Sequence, residues 1–211
     1  MTDTEKKTEF KFDELSERAK QTARENYMSG DYPDYNWWDV IYDDAVHMAR
    51  LLGIEIGGTR RTTARGHTYT DTNIWFSGFC SQGDGAYFDG DYSFAPNAVK
   101  NIEQETTDEE LLRIAMELTL MQLTQRLNGH EYFRGSISSG NGNNIKTEIR
   151  DWGVDEVGEP GEEDFRQLMQ DFADWIYERL EDEYDYLCSD KYVDERLSEN
   201  DCVFDEDGAI I

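Results

Sequence analysis

Apolar residues recur along the chain at two spacings, one typical of helices and one typical of strands. A spacing of three to four residues predicts helices over residues 13–28, 37–52, 96–104, 108–127, 162–187 and 191–198. Alternating, β-branched or aromatic runs predict strands over residues 54–58, 132–138 and 145–154 and a last strand near residues 203–204, and residues 59–72 are predicted to form a polar hairpin or a loop. Because helices and hairpins are interspersed, the order predicts an α+β fold: an antiparallel sheet of hairpins covered by helices.

The stretch from residue 73 to residue 94 is expected to be the centre of this fold. Ile74 and Phe76 precede a turn rich in glycine, and Tyr87 and Phe88 follow it. Two such runs bounded by Gly, Ser and Asp predict a β-hairpin. We expect this hairpin to form the sheet that the helices cover.

A cluster of aromatic residues marks the start of the second predicted helix. Trp37 and Trp38 follow Tyr32 and Tyr35, and Tyr42 comes one turn later. Core packing is the favoured interpretation of both tryptophans, with Trp38 nearer the edge. Since tyrosine and tryptophan are also the residues that dominate protein interfaces, Tyr35 and Trp38 are candidates for partner binding.

The long C-terminal helix is predicted to carry an apolar face and a separate acidic face. The apolar face follows a helical period and consists of Phe165, Met169, Phe172, Ile176, Leu180 and Tyr184. The carboxylates that follow the same period on another face are Asp171, Asp174, Glu178, Asp182 and Asp185. Successive helical turns rise about 5.4 Å, a spacing of the same order as that of phosphate charges on a nucleic-acid strand. These five residues are therefore candidates for a partner-binding site that imitates phosphates, and a solvated helix face is the alternative.

The net charge changes this picture from an ordinary soluble domain to a strongly acidic one. The chain has 47 acidic and 20 basic residues, a net charge of −27, and residues 156–211 hold 20 acids against 4 bases. Such a chain is repelled by bare DNA and by anionic membranes, so its expected partners are basic proteins, many of which bind nucleic acid. The shift in composition suggests a core domain over residues 1–156 and an acidic helical segment over residues 157–211, packed together as one domain.

Candidate chemistry is sparse in this sequence. Asp84, Asp89 and Asp91 are the weak candidates for a metal site, but the calcium-loop pattern fails because Ala86 and Phe88 stand where ligands are required. The sequence therefore predicts no cofactor and no enzymatic activity. An enzyme, or a binder of metal or small ligands at the Asp84–Asp91 turn, stays open as an alternative.

The cysteines and the N-terminus indicate the compartment. Cys80, Cys188 and Cys202 have no disulfide-framework spacing and predict free thiols. The first residues lack an apolar signal core, and no apolar run approaches the length of a membrane span. We expect a soluble protein of the bacterial host cytoplasm.

Four segments resemble a known family. They are FDELSERAK (12–20), NWWDVIYDDA (36–45), IWFSGFCSQGDGAYFDGDY (74–92) and DFADWIYERLEDEYDYL (171–187). The chain is similar along nearly its whole length to small acidic proteins of bacteriophages and other mobile elements, many of which are described as "antitoxin of a toxin–antitoxin stability system". The resemblance implies a mobile-element origin and brings no catalytic residue with it.

Together these observations predict a non-enzymatic inhibitor that imitates DNA. It would bind a basic, nucleic-acid-handling host protein, such as a CRISPR or restriction nuclease, without direct contact to nucleic acid or membrane. An antitoxin that neutralises a toxin by direct contact is the first alternative. The sequence leaves the oligomeric state open, with a homodimer among the alternatives.

Overall fold

The computed structural model describes residues 9–30, 33, 36–63, 66, 68–140, 144–151, 160–200 and 202–211. The helices within these ranges are α1 (Glu17–Met28), α2 (Asp39–Leu52), α3 (Ala98–Glu105), α4 (Glu109–Leu127), α5 (Pro160–Leu187) and α6 (Asp190–Glu199). The strands are β1 (Ile54–Ile56), β2 (Gly58–Thr62), β3 (Thr68–Thr72), β4 (Ile74–Phe76), β5 (Ala86–Phe88), β6 (Gly90–Tyr92), β7 (Arg134–Ser139) and β8 (Ile145–Arg150). The sheets are antiparallel, so the α+β prediction is confirmed.

The chain is divided into two compact units. The larger unit comprises Asp39–Leu180, and the smaller unit joins Met1–Trp38 to Glu181–Ile211. Helix α5 therefore contributes its residues up to Leu180 to the larger unit and its last turns to the smaller one. The predicted division between residues 156 and 157 falls outside the described residues and stays a prediction.

A four-stranded antiparallel sheet in the order β1-β6-β7-β8 organises the larger unit. Three buried rings meet beside it: the Tyr92 ring centroid lies 5.4 Å from that of Phe133 and 5.2 Å from that of Phe165 on α5. Aromatic pairs at this separation add to the stabilisation from burial alone. The apolar face predicted for α5 thus packs, through Phe165, against the rings of Tyr92 and Phe133.

The predicted central hairpin is present, but its role in the sheet was predicted incorrectly. Strands β4 and β5 pair with Ile74 opposite Phe88, and together they form a separate two-stranded sheet. The chain then passes through Asp89 and enters the four-stranded sheet as β6. A side-chain Cβ at Gly90 would lie 2.6 Å from the carbonyl oxygen of Glu55, so only glycine lets β6 approach β1 closely enough to pair.

Helix α4 begins after a cap at Asp108, the residue at which the sequence predicted this helix to start. The Asp108 carboxylate accepts hydrogen bonds from the amides of Glu110 (3.0 Å) and Leu111 (3.1 Å), and its second oxygen accepts one from Trp175 Nε1 (2.9 Å). Burial alone would raise the pKa of Asp108, but the bonds from Trp175 and the two amides outweigh it and lower the pKa. One carboxylate therefore caps α4 and fixes α5 against it.

The second helix begins two residues later than predicted. The prediction placed Trp37 in its first turn, whereas α2 starts at Asp39 and Trp37 and Trp38 lie in the preceding turn. Asn36 has a φ of 78°, a left-handed conformation that a helix does not continue through. The positions of Trp37 and Trp38 are therefore set by the turn before α2 and not by the helix itself.

The smaller unit has its own compact core. The buried members of this cluster are Phe12, Leu15, Ala19, Ala23, Val193, Leu197 and Phe204. Ser16 caps α1 by accepting a hydrogen bond from the Ala19 amide, and Phe204 exchanges backbone hydrogen bonds with Phe10. The segments around Phe10 and Phe204 thus meet in one core, together with α1 and α6.

Among the described residues, no helix is both long enough and apolar enough to cross a membrane.

Candidate functional site

The first of the five predicted acidic residues, Asp171, is engaged inside the larger unit. Its side chain is 18 % exposed, and it accepts hydrogen bonds from Arg113 on α4 and from Gln167 Nε2 (2.7 Å). Arg113 also bonds Glu110 (2.6 Å) and Glu117 (2.8 Å). The expectation that all five carboxylates project from an exposed face is therefore wrong for Asp171, because an arginine 58 positions earlier packs against it.

The next two acidic residues of α5 are exposed in the larger unit. Asp174 accepts a hydrogen bond from Gln170 Nε2 (2.9 Å), and Glu178 lies one turn further along the helix. Partial burial raises the pKa of Asp174, and the nearby charges of Asp171 and Glu110 add to the increase.

The last two acidic residues, Asp182 and Asp185, are exposed and belong to the smaller unit. Between them on α5 lies Tyr184, whose ring centroid is 5.7 Å from that of Trp37. The Trp37 ring in turn meets the Trp38 ring edge-on at 5.9 Å. The structure thus brings the predicted aromatic candidate Trp38 into the same unit as Asp182 and Asp185.

The remaining aromatic candidate, Tyr35, lies outside the described residues, as does Tyr32. Trp37 and Trp38 are both half-buried. An indole that is half-buried keeps part of its surface available for contact while its orientation is held by its neighbours. This arrangement suits Trp38 to the interface role that the sequence suggested.

Acidic residues of α6 were not singled out from the sequence, although they belong to the same unit. Asp190, Glu195 and Glu199 are exposed on this helix. Asp194 instead faces Arg24 of α1, with Oδ1 2.6 Å from Nε and Oδ2 2.7 Å from Nη2. The spacing of four residues between Glu195 and Glu199 is the signal that would have revealed this exposed pair.

Each of the candidate metal-binding residues makes a different structural contact within the protein. Asp84 accepts hydrogen bonds from the Cys80 and Ser81 amides (3.0 and 2.7 Å), and Asp89 accepts one from the Ser139 amide (2.8 Å). Asp91 forms an ion pair with Arg150 (3.5 Å). The turn itself contains Gly83 at a φ of 99°, a conformation that favours glycine. Within the described ranges, no three His, Cys, Asp or Glu side chains are grouped as metal ligands would be.

A surface cleft of about 720 Å³ lies elsewhere in the larger unit. It is lined by Ser93, Phe94, residues 130–134 and Asp151. None of the residues that the sequence selected for chemistry or partner binding lines it. The cleft therefore lends no support to a ligand site at the Asp84–Asp91 turn.

Comparison with known proteins places the chain in one family. A family model described as a domain of unknown function, DUF8835, matches residues 37–190, and the chain belongs to this family. No curated protein and no solved structure matches the chain. The matched range includes the whole larger unit and all of α5, whereas α1 and nearly all of α6 lie outside it.

Proposed function

We propose that this DUF8835 protein binds a basic, nucleic-acid-handling protein and blocks the surface with which that protein holds phosphates. The observation that carries the proposal is the exposed acidic surface of the smaller unit. We give the name acidic patch to five carboxylates that are all exposed in this unit: Asp182, Asp185, Asp190, Glu195 and Glu199. It lies on a segment, residues 181–211, that has 12 acidic and only 2 basic residues.

The distribution of charge favours the smaller unit over the larger one as the binding surface. The smaller unit has 21 acidic and 8 basic residues, and the larger unit, about twice as long, has 26 and 12. The smaller unit therefore has about twice as much negative charge per residue as the larger unit. A higher local potential steers a basic partner to this surface and speeds encounter.

Trp38 supports the same assignment because an interface needs an anchor as well as charge. Exposed ion pairs contribute about 0–1 kcal/mol each, whereas tryptophans are enriched among the residues that dominate binding energy. The Trp37–Trp38 pair and Tyr184 supply aromatic surface in the unit that bears the acidic patch. Charge would then set the approach of the partner, and the aromatic cluster would hold it.

The hydrogen-bonding roles of the other carboxylates support binding rather than catalysis. Asp108 caps a helix, Asp171 neutralises Arg113, and Asp84 bonds the backbone of its own turn. These contacts account for each side chain as part of the fold. The function we propose is non-enzymatic and involves no cofactor.

The resemblance to acidic proteins of mobile elements suggests where this interaction takes place. We propose that the protein acts in the cytoplasm of a bacterial host and that its target belongs to a host defence, such as a CRISPR or restriction nuclease. Such enzymes present basic grooves to DNA, which is the chemistry that the acidic patch complements.

A pull-down from host lysate with the purified protein as bait tests the proposal. The retained protein should be basic and nucleic-acid-binding, duplex DNA should displace it, and its retention should weaken steeply as NaCl is raised. The test variant changes Asp182, Asp185, Glu195 and Glu199 to Asn or Gln and should lose the protein. A partner that DNA does not displace would contradict the proposal.

A matched control separates the acidic patch from net charge. Changing Asp43, Asp44, Glu103 and Glu148 to Asn or Gln removes the same four charges from exposed positions of the larger unit. This variant should retain the partner nearly as well as the unaltered protein. Equal loss in both variants would show that overall charge, and not the smaller unit, is responsible.

A further inference from the structure

One face of α4 exposes a row of large apolar side chains. Met116, Leu120, Leu123 and Leu127 are 48, 65, 45 and 87 % exposed. We call these four residues the α4 stripe. Their spacing of four, three and four residues is that of the contact seam of a coiled coil. Since a surface helix normally turns polar residues outward, this face has the composition of an interface.

The opposite face of α4 explains why the helix cannot rotate to bury the stripe. That face is buried and includes Leu111, Ile114, Leu118 and Gln122. Gln122 bonds both backbone groups of Phe133, donating from Nε2 to the carbonyl oxygen (2.9 Å) and accepting from the amide (3.0 Å). Removing these buried contacts would leave polar groups unpaired. Among the described residues the α4 stripe therefore stays exposed, which leaves it open to a second molecule.

The charge around the α4 stripe identifies what that molecule is. Residues 118–130 contain no Asp or Glu, although the chain as a whole has 47. Glu117, just before this range, is already bonded to Arg113 (2.8 Å), so a basic partner finds little carboxylate to pair with here. A second copy of this chain bears the same charge of −27, so two copies approach each other most closely where acidic residues are missing.

The order of residues along α4 also matches an antiparallel pair. When two copies of α4 run in opposite directions about a point between Met121 and Gln122, Met116 of one copy lies level with Leu127 of the other. In the same register Leu120 lies level with Leu123, and Glu117 lies level with Arg126. A parallel pair would instead bring Glu117 level with Glu117. Opposite charges and opposed helix dipoles thus both favour the antiparallel arrangement.

We propose that the α4 stripe is a homodimer interface in which two copies of α4 pack antiparallel. The interface goes beyond the proposed function, because it lies in the larger unit and shares no residue with the acidic patch of the smaller unit. The two surfaces also respond oppositely to salt. NaCl weakens attraction to a basic partner, whereas it screens the repulsion between two copies and strengthens the dimer.

Sedimentation velocity on the purified full-length protein, between about 1 and 100 µM, tests this interface in the absence of any other protein. We expect a monomer–dimer equilibrium that shifts toward dimer as NaCl is raised. Leu120→Asp should raise the dissociation constant at least about tenfold, because it places a charge in the centre of an apolar contact. Leu127→Asp, at the most exposed position, should act in the same direction.

Val40→Asp is the matched control. Val40 is 69 % exposed on α2, so the substitution adds the same charge at the same exposure away from the α4 stripe. It should leave the dissociation constant unchanged, with circular dichroism confirming that each variant is folded. A protein that stays monomeric over the whole range, or a dimer equally sensitive to Val40→Asp and Leu120→Asp, would overturn the proposal.

Charge exchange tests the orientation. Arg126→Glu should weaken the dimer, and Arg126→Glu combined with Glu117→Arg should recover most of the loss, because the pairs level with each other are again opposite in sign. Each substitution should change the dissociation constant of the dimer by about two- to fivefold, which is the range expected for exposed ion pairs. If the double variant is weaker than the single one, the antiparallel register is wrong.

Discussion

The two units of this protein hold similar net charge in very different ways. The larger unit has a net charge of −14 and the smaller unit −13, but the larger is about twice as long. In the larger unit, Asp108 and Asp171 are bound to Trp175 and Arg113. In the smaller unit, most carboxylates of α6 project into solvent. The larger unit thus ties some of its carboxylates into helix contacts, whereas three of the four carboxylates of α6 lie on the surface of the smaller unit.

The two units also differ in the size of their buried cores, which bears on how well each tolerates its charge. The larger unit buries interlocking rings beside its sheet, including Tyr92, Phe133 and Phe165. The cluster of the smaller unit has seven buried residues, two of them alanine. Because a smaller core leaves less stabilisation to offset repulsion, we expect the smaller unit to be the less stable one.

The largest expected effect comes from truncating the core of the smaller unit. Phe204 is fully buried and its ring centroid lies 6.0 Å from that of Phe12. Phe204→Ala should cost about 3–5 kcal/mol of unfolding free energy. Hydrogen exchange measured by mass spectrometry should show loss of protection in α1 and α6, with α4 nearly unaffected.

Phe133→Ala is the matched substitution in the larger unit, where Phe133 is also fully buried. It should reduce protection in α4 and in the four-stranded sheet. If either substitution abolishes protection throughout the chain, the two units unfold as one and the contrast in their stability is wrong.

The second effect compares one arginine from each unit. Arg24 binds Asp194 through two hydrogen bonds, and its side chain is 15 % exposed. Arg24→Met should destabilise the smaller unit by about 2 kcal/mol, because it leaves a partly buried carboxylate unpaired. Arg113 is 39 % exposed, so solvent screens its three ion pairs, and Asp171 keeps its hydrogen bond from Gln167 when Arg113 is removed. Arg113→Met should therefore cost about 1 kcal/mol. Denaturant unfolding with local exchange rates measures both, and a larger loss from Arg113→Met would reverse the ranking.

The third effect is a pH dependence confined to the larger unit. The pKa of Asp108 is lower in the folded protein than its ordinary value of 3.8, so its contribution to stability is present above that value. That contribution is lost as the pH falls through the folded-state pKa. Asp108→Asn should therefore cost up to about 1 kcal/mol at pH 7 and almost nothing at pH 2.

Denaturant unfolding at the two pH values measures this difference. Glu109→Gln is the control, since Glu109 is the exposed acidic residue next in the chain. An equal loss at both pH values for Asp108→Asn would mean that the amide disturbs the cap itself and not its ionisation.

The smallest effect is the response of the two units to salt. Raising NaCl from 0.1 to 1 M shortens the Debye length from about 10 Å to about 3 Å. Because the smaller unit has the higher charge per residue, exchange in α1 and α6 should slow about two- to fivefold more than exchange in the larger unit. Sucrose, which stabilises by exclusion without screening charge, should affect both units alike. Faster exchange in salt would show that attractive ion pairs dominate the smaller unit.

Local patterns in the sequence determined most of the helices and the central hairpin. The cap at Asp108, the apolar period of α5 and the pairing of Ile74 with Phe88 depend on residues close in the chain, whose geometry is set by helical and strand periods. The sequence also determined the charge of the C-terminal segment, since charge requires no folding to be counted.

Tertiary structure alone decided which acidic residues are available. Asp171 and Asp174 share one helical face and a similar spacing, yet only Asp171 is held by Arg113, because α4 packs against that part of α5. The periodicity of α4 was equally uninformative about burial. Apolar residues lie all around this helix, so the sequence could not indicate that Leu118 is buried and Leu120 is exposed. Whether a side chain is buried depends on residues that are distant in the sequence and pack against it. The local spacing of apolar residues does not specify those residues.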